Sequence, residues 1–196
     1  MNIKTESIRE FVEIALNKKI YDLQLDELDK ITMLRICRTD LNHILNVDSN
    51  DLEYFHNLNE IFIEGCTIDE EFTRNLKRLN KLKKITFVSC DFVDEARNYF
   101  TNLELDELVL NNVNGLNGVL FSNINFLTFV NCSFNCVVGS VNNLDISRSE
   151  KIAIDFENSD VKKMIINENQ LKDLNYKGNI TIKDNYDEII RVINND

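Results

Sequence analysis

Proline and tryptophan are missing from this 196-residue chain, glycine occurs only five times, and histidine only twice. Without proline there is no stiff proline-rich linker to divide the chain. Five glycines leave no phosphate loop: the stretch GLNG at 115–118 lacks the lysine and the strand–loop–helix setting that such a loop needs. His43 and His56 fall in segments that read as helix or turn. His56 and Cys66 could be written as a Cys–His pair, but no third group is placed to orient them, so both histidines read as surface or boundary residues. No window approaches the ~18 apolar residues of a membrane span. Arg9, Glu10 and Glu13 interrupt the start before a signal-peptide core can form. The five cysteines are odd in number and never spaced C-x-x-C. A cytoplasmic chain with reduced thiols is the simplest reading.

What is present is an ordinary globular balance, 43% hydrophobic and 28% charged, in a chain long enough for one domain with its own core. Asparagine is abundant, at 29 residues, and the formal net charge is −11. So acidic a chain repels a nucleic-acid backbone, and direct nucleic-acid binding is not expected. The charge is uneven. Residues 1–71 hold 16 acids against 7 bases, and residues 72–100 hold 3 against 7. Residues 108–144 hold no charged side chain at all.

Repetition organises the rest. LKKITFVSCDF from Leu82 returns as INFLTFVNCSF from Ile124. In phase with them stand LNEIFIEGCTI from Leu58 and VKKMIINENQL from Val161, with looser copies LDELVLNNVNG from Leu105 and VNNLDISRSEK from Val141. A first copy, LDKITMLRICR, starts at Leu28, or in an alternative register three residues later. Positions 1, 4, 6 and 9 are apolar. Positions 4 and 6 alternate with 3, 5 and 7, so each copy holds a short strand with one face inward. One unit cannot bury that face alone; stacked copies can.

The pattern resembles the leucine-rich repeat, L-x-x-L-x-L-x-x-N/C-x-L, over roughly residues 28–172. The resemblance implies an α/β repeat solenoid: a horseshoe with a parallel concave sheet. Helices would lie on the convex side of the N-terminal repeats, where DEEFTRNLKRLN (69–80) and DFVDEARNYF (91–100) have helical spacing, and turns or 3₁₀ segments in the shorter C-terminal ones. A parallel β-helix-like coil, with sheets on two or three sides, is the alternative. The whole chain, 1–196, reads as a single domain. A helical cap occupies 1–27, with a Ser7–Glu10 capping box and an apolar stripe of Ile8, Phe11, Val12, Ala15 and Leu16. About seven repeats occupy 28–179. A C-terminal cap at 180–196 reads as a short helix over 186–194, with Ile189, Ile190 and Ile193 available.

The resemblance also implies that position 9 turns inward beneath the loop that leaves the strand. That column contains Cys66, Cys90, Cys132 and Asn169, together with Ile36, Val113 and Ser149. Valine interrupts it, so it reads as packing and not as a metal site. No metal, cofactor or catalytic residue is assigned, and the chain is not read as an enzyme. The basic run Arg74, Lys77, Arg78, Lys81, Lys83 and Lys84 reads as the solvated face of a helix, or as an anion patch.

In such a repeat the outward strand positions make the concave face. Position 5 gives Thr32, Phe62, Thr86, Val109, Thr128, Asp145 and Ile165; position 7 gives Leu34, Glu64, Val88, Asn111, Val130, Ser147 and Asn167; position 3 adds Phe126. An apolar, uncharged centre with charge around it is how interfaces are built. The expected function is a protein–protein interaction module that binds through Phe62, Thr86, Val88, Val109, Asn111, Phe126, Thr128 and Val130. An acidic inhibitor or immunity-type protein, blocking a basic nucleic-acid-binding site on its target, is the alternative.

Overall fold

The computed structural model describes residues 2–37, 45–93, 99–149, 151–156, 159–173, 178–184 and 188–194. Its main feature is a nine-stranded sheet in which, up to its seventh strand, strands of a second layer lie between neighbours along the chain. The strands are β1 (Met33–Cys37), β3 (Glu60–Glu64), β5 (Lys84–Val88), β7 (Leu105–Asn111), β9 (Ile124–Val130), β11 (Ser140–Arg148), β13 (Asp160–Asn167), β14 (Asn179–Lys183) and β15 (Ile189–Asn194), in that order. From β1 to β14 all pairings are parallel; β15 joins antiparallel. Parallel neighbours require a crossover. Between them the chain lays down two short parallel sheets, β2 (Leu45–Asn46) with β4 (Cys66–Ile68) and β6 (Asp91–Phe92), and β8 (Val119–Phe121) with β10 (Ser133–Val138) and β12 (Lys151–Asp155). The result is a solenoid of parallel strands with few helices.

Period-two alternation fixes which side is core. Ile61/Ile63, Ile85/Phe87, Leu108/Leu110, Leu127/Phe129, Leu144/Ile146 and Met164/Ile166 are all buried, and the residues between them are half-exposed. The ladder pairs Ile61 with Ile85, Ile85 with Leu108, Leu108 with Leu127, Leu127 with Leu144 and Leu144 with Met164. The copies from Leu58 to Val161 are therefore in the expected phase. The first copy takes the later register: Leu34 pairs with Ile61 and Ile36 with Ile63, both buried. Leu34 and Thr32 are thus not on the outward face at positions 7 and 5; Cys37 and Arg35 take those places. An eighth strand, NITIK in β14, pairs Ile180 with Met164 and extends the repeat beyond the last expected copy.

The backs of the coils differ from a helix-clad horseshoe. Of the two expected outer helices, one is present as α2 (Glu70–Leu76), after α1 (Glu6–Leu16) at the N-terminus. The Asp69 carboxylate accepts the Phe72 N–H at 2.7 Å, and Phe72 and Leu76 seat the helix on the core. In the other, Asp91 and Phe92 are strand β6, and 94–98 lie outside the described residues. The returns after β7, β9 and β11 are strands rather than turns, and Phe134, Cys136 and Val138 alternate inward along β10; the return after β13 is the expected 3₁₀ segment, Glu168–Asp173. Sheets therefore lie on two sides of these coils, as in the β-helix alternative.

Aromatic rings fill the space between the layers. Phe87, Phe92, Tyr99, Phe100, Phe121, Phe129 and Phe134 form one connected cluster, with ring centroids 5.0–6.4 Å apart.

Each of four coils turns out of the main sheet through a left-handed residue at position 8: Gly65, Ser89, Asn112 and Asn131, with φ of 67°, 50°, 52° and 50°. Glycine and asparagine tolerate this region best. Each donates its N–H to the next coil, to the carbonyls of Val88, Asn111, Val130 and Arg148, at 2.8–2.9 Å. Part of the asparagine excess thus has a backbone cause.

At the N-terminal end α1 packs on β1, the last strand on that side of the sheet. No capping box forms. Thr5 is the N-cap, but its hydroxyl accepts the Asp48 N–H at 3.0 Å instead of capping the helix, and the buried Ser7 hydroxyl has no partner among the described residues. The anchor comes from far along the chain. The Asp51 carboxylate, 2% exposed, accepts the backbone N–H groups of Lys4 and Thr5 at 2.7–3.1 Å. At the other end the expected helix over 186–194 is replaced by β15. Its Ile193 pairs with Ile180, on the core side.

Candidate functional site: the open face of the nine-stranded sheet

Outward side chains from adjacent strands form three rows across the sheet. The position-5 row runs Arg35, Phe62, Thr86, Val109, Thr128, Asp145 and Ile165 by direct pairing, and continues to Thr181, which is buried. The position-7 row holds Cys37, Glu64, Val88, Asn111 and Val130 in the same way. Strands in such a ladder lie about 4.8 Å apart. The predicted contact residues Phe62, Thr86, Val88, Val109, Asn111, Phe126, Thr128 and Val130 are therefore brought together on four neighbouring strands. Most are half-exposed, and Phe126 is 49% exposed.

Charge frames this group. At one end the Arg35 guanidinium lies 5.0 Å over the Phe62 ring and 3.7 Å from the Glu64 carboxylate. Along the position-3 row Lys84 Nζ is 3.5 Å from Glu107. At the other end Asp145 accepts the Ser147 N–H and hydroxyl at 3.0 and 2.6 Å, and meets Lys183 Nζ at 3.6 Å. These ion pairs largely neutralise themselves. Between them lie Thr86, Val88, Val109, Asn111, Thr128 and Val130, with no formal charge. A bulge in β11 removes Ser147 from the face: Arg148 pairs with Val130, and Ser147 is buried.

The cysteine column lies just past the turn that leaves each of these strands. Cys66, Cys90 and Cys132 are buried, with Val113 and Ser149 in line. The thiols of Cys90 and Cys132 donate to carbonyls of their own and the preceding coil: Cys90 to Val88 and Ile63, Cys132 to Val130 and Leu110. Burial pushes the Cys90 thiol up to about 11 and Cys136 up to about 12, and raises Cys66 and Cys132 as well. These are protonated packing groups at neutral pH, not nucleophiles. Asn169 departs from the column. It is exposed at the surface of a 3₁₀ turn, Glu168–Asp173. Gln170 turns inward instead and donates to the carbonyls of Ile146 and Ser149.

Other candidates disperse. Arg74 pairs with Glu70, Lys84 with Glu107, and Lys83 donates to the Glu104 carbonyl, so part of the basic run is engaged locally. His43 lies outside the described residues. His56 lines a cleft of about 300 Å³ with Asn50, Glu53, Asn75, Arg78 and Lys81. Among the described residues no three His, Cys, Asp or Glu side chains converge as metal ligands. No helix among them is long and apolar enough to cross a membrane. Sequence reasoning missed Arg35, Cys37 and Lys183 on the open face. The alternative first register would have supplied the first two, and the alternation in NITIK the third. No family model matches the chain, and no curated protein does.

Proposed function

We propose that this chain is a non-enzymatic interaction module of leucine-rich-repeat kind, of a short, irregular type, that binds another protein on the open face of its nine-stranded sheet. The observation that carries the reading is the pair of uncharged rows, positions 5 and 7, on β5, β7 and β9, where Val88, Val109 and Val130 stand half-exposed, with the exposed Phe126 next to Glu107 in the position-3 row. The self-paired charges at either end would set register and on-rate more than affinity. The leucine-rich-repeat kinship draws support from the common phase of the copies and from the inward cysteines at position 9. The free thiols suit a reducing, cytoplasmic setting.

The test is the double substitution Val88→Asp with Val130→Asp. Both side chains point away from the core, so the far-ultraviolet circular dichroism is expected to be unchanged while affinity for a captured partner falls at least about 100-fold. Unchanged affinity sinks the assignment to this face. The acidic-inhibitor reading rests on the net charge of −11. It requires binding that weakens steeply with salt, whereas the neutral band requires only weak salt dependence.

A further inference from the structure

We propose that the cleft between the 3₁₀ turn Ser49–Tyr54 and the C-terminal end of α2 is a binding site for a small phosphate monoester that also carries hydroxyl groups. The cleft has a volume of about 300 Å³, at the small end of ligand clefts. None of its lining residues belongs to the open face. Many bases of this acidic chain stand against a carboxylate: Lys4 against Asp48, Arg35 against Glu64, Arg74 against Glu70 and Lys84 against Glu107. Arg78 and Lys81 both line the cleft, and neither has an ion-pair partner among the described residues. Lys81 is nevertheless held in place. Its ammonium donates to the Asn57 side-chain oxygen at 2.6 Å, and the Asn57 amide donates to the Asp29 carbonyl at 2.8 Å. A neutral partner fixes the ammonium and leaves its charge uncompensated. Asn75 ties the two walls together: it is 7% exposed, and its side-chain N–H donates to the Ser49 hydroxyl at 2.9 Å.

Two other clefts show the contrast. The one lined by Glu10, Glu13, Lys18 and Lys19 is larger, about 620 Å³, but its lysines are already engaged, Lys19 by Glu13 and Lys18 by Glu27. The one lined by Lys83, Glu104 and Asp106 holds two acids to one base. The charge of the His56 cleft selects its ligand. A phosphate monoester is mostly a dianion at neutral pH and presents three acceptor oxygens. The Arg78 guanidinium can meet two of them as a fork, the Lys81 ammonium supplies the second charge, and a His56 N–H is a further donor. A carboxylate, with one charge, leaves one of the two cations uncompensated. The opposite demand comes from Glu53 and Asn75. Among the described residues Glu53 has no ion pair, and the Asn75 side-chain oxygen receives no donor. Both are acceptors and repel phosphoryl oxygens, so the same ligand must bring donors to them, and hydroxyl groups do so. A sugar phosphate is the simplest compound that meets both demands.

The experiment is an NMR titration of the ¹⁵N-labelled full chain, under reducing conditions at low salt, with glucose 6-phosphate, inorganic phosphate and glucose as separate probes. Saturable shifts are expected with glucose 6-phosphate, centred on the backbone amides of His56, Arg78 and Lys81, with an affinity at least about tenfold above those of inorganic phosphate and of glucose. Arg78→Gln and Lys81→Gln, both at exposed positions, are each expected to weaken it at least about tenfold with unchanged circular dichroism. The control Lys19→Gln, in the self-paired cleft, leaves it unchanged. Added salt weakens the binding, because the contacts are charged and exposed. The absence of saturable shifts up to about 10 mM glucose 6-phosphate overturns the proposal. So does binding that both glutamine variants retain, or inorganic phosphate binding as tightly as the sugar phosphate.

Discussion

Replacing Cys90 by alanine and following stability with pH separates a packing thiol from a chemical one. Cys90 is fully buried, and its thiol donates to the carbonyls of Ile63 and Val88. At pH 7 the substitution removes one buried sulfur and two weak hydrogen bonds, at a cost of about 1–2 kcal/mol. An ordinary thiol ionises near 8.5, whereas burial holds this one to about 11. Between those values the unfolded chain has released the proton and the folded chain keeps it. The folded state then binds more protons, so the thiol's contribution to stability falls as pH rises, by about 1.4 kcal/mol per pH unit. Cys90→Ala has no such proton. Its deficit against the wild type should therefore shrink above about pH 8.5 and vanish or reverse by about pH 10.5. Urea unfolding of both proteins, with reductant, at several pH values from neutral upward measures this. A deficit constant with pH would mean that the thiol ionises as readily folded as unfolded, against the burial argued here. A deficit that widens would mean that the fold stabilises the thiolate, and would reopen Cys90 as a reactive site.

Two further substitutions probe non-local contacts. Asp51→Ala leaves the part-buried N–H of Lys4 and the buried N–H of Thr5 without an acceptor and should cost about 2–4 kcal/mol in urea unfolding, with Asp51→Asn losing roughly half as much; a loss below about 0.5 kcal/mol in the alanine variant refutes the anchor. Gly115 has φ +84°, and a Cβ there would stand 1.8 Å from the Phe92 carbonyl oxygen. Gly115→Ala should therefore lower stability by about 2–4 kcal/mol, and a melting temperature equal to that of the wild type contradicts the close approach.

The main sheet was legible because burial on one side imposes a period of two, and Ile61, Ile85, Leu108 and Leu127 carry it openly. The first copy was ambiguous because Ile31 and Ile36 fill apolar positions in both registers, and only pairing with β3 decides between them. Ile189, Ile190 and Ile193 fit a helix stripe as well as a strand; the free edge of β14 settles the choice, and no local signal reports that edge. The Ser7–Glu10 pattern is a local capping signal overridden by Asp51, a partner 46 residues from Thr5. The candidate face followed from the strand phase, so its central residues were found. Its two ends were not, because they belong to the misphased first copy and to the strand that was missed.

The ring cluster lies directly beneath the uncharged band. Phe87 and Phe129 are the inward neighbours of Thr86, Val88, Thr128 and Val130 on the same strands. Side chains mounted on strands so firmly packed have little freedom left to lose. On the proposed reading a partner that settles there meets a surface already in its bound shape. The entropic penalty of ordering an interface, about 0.5–1.5 kcal/mol per immobilised side chain, then falls almost entirely on the partner.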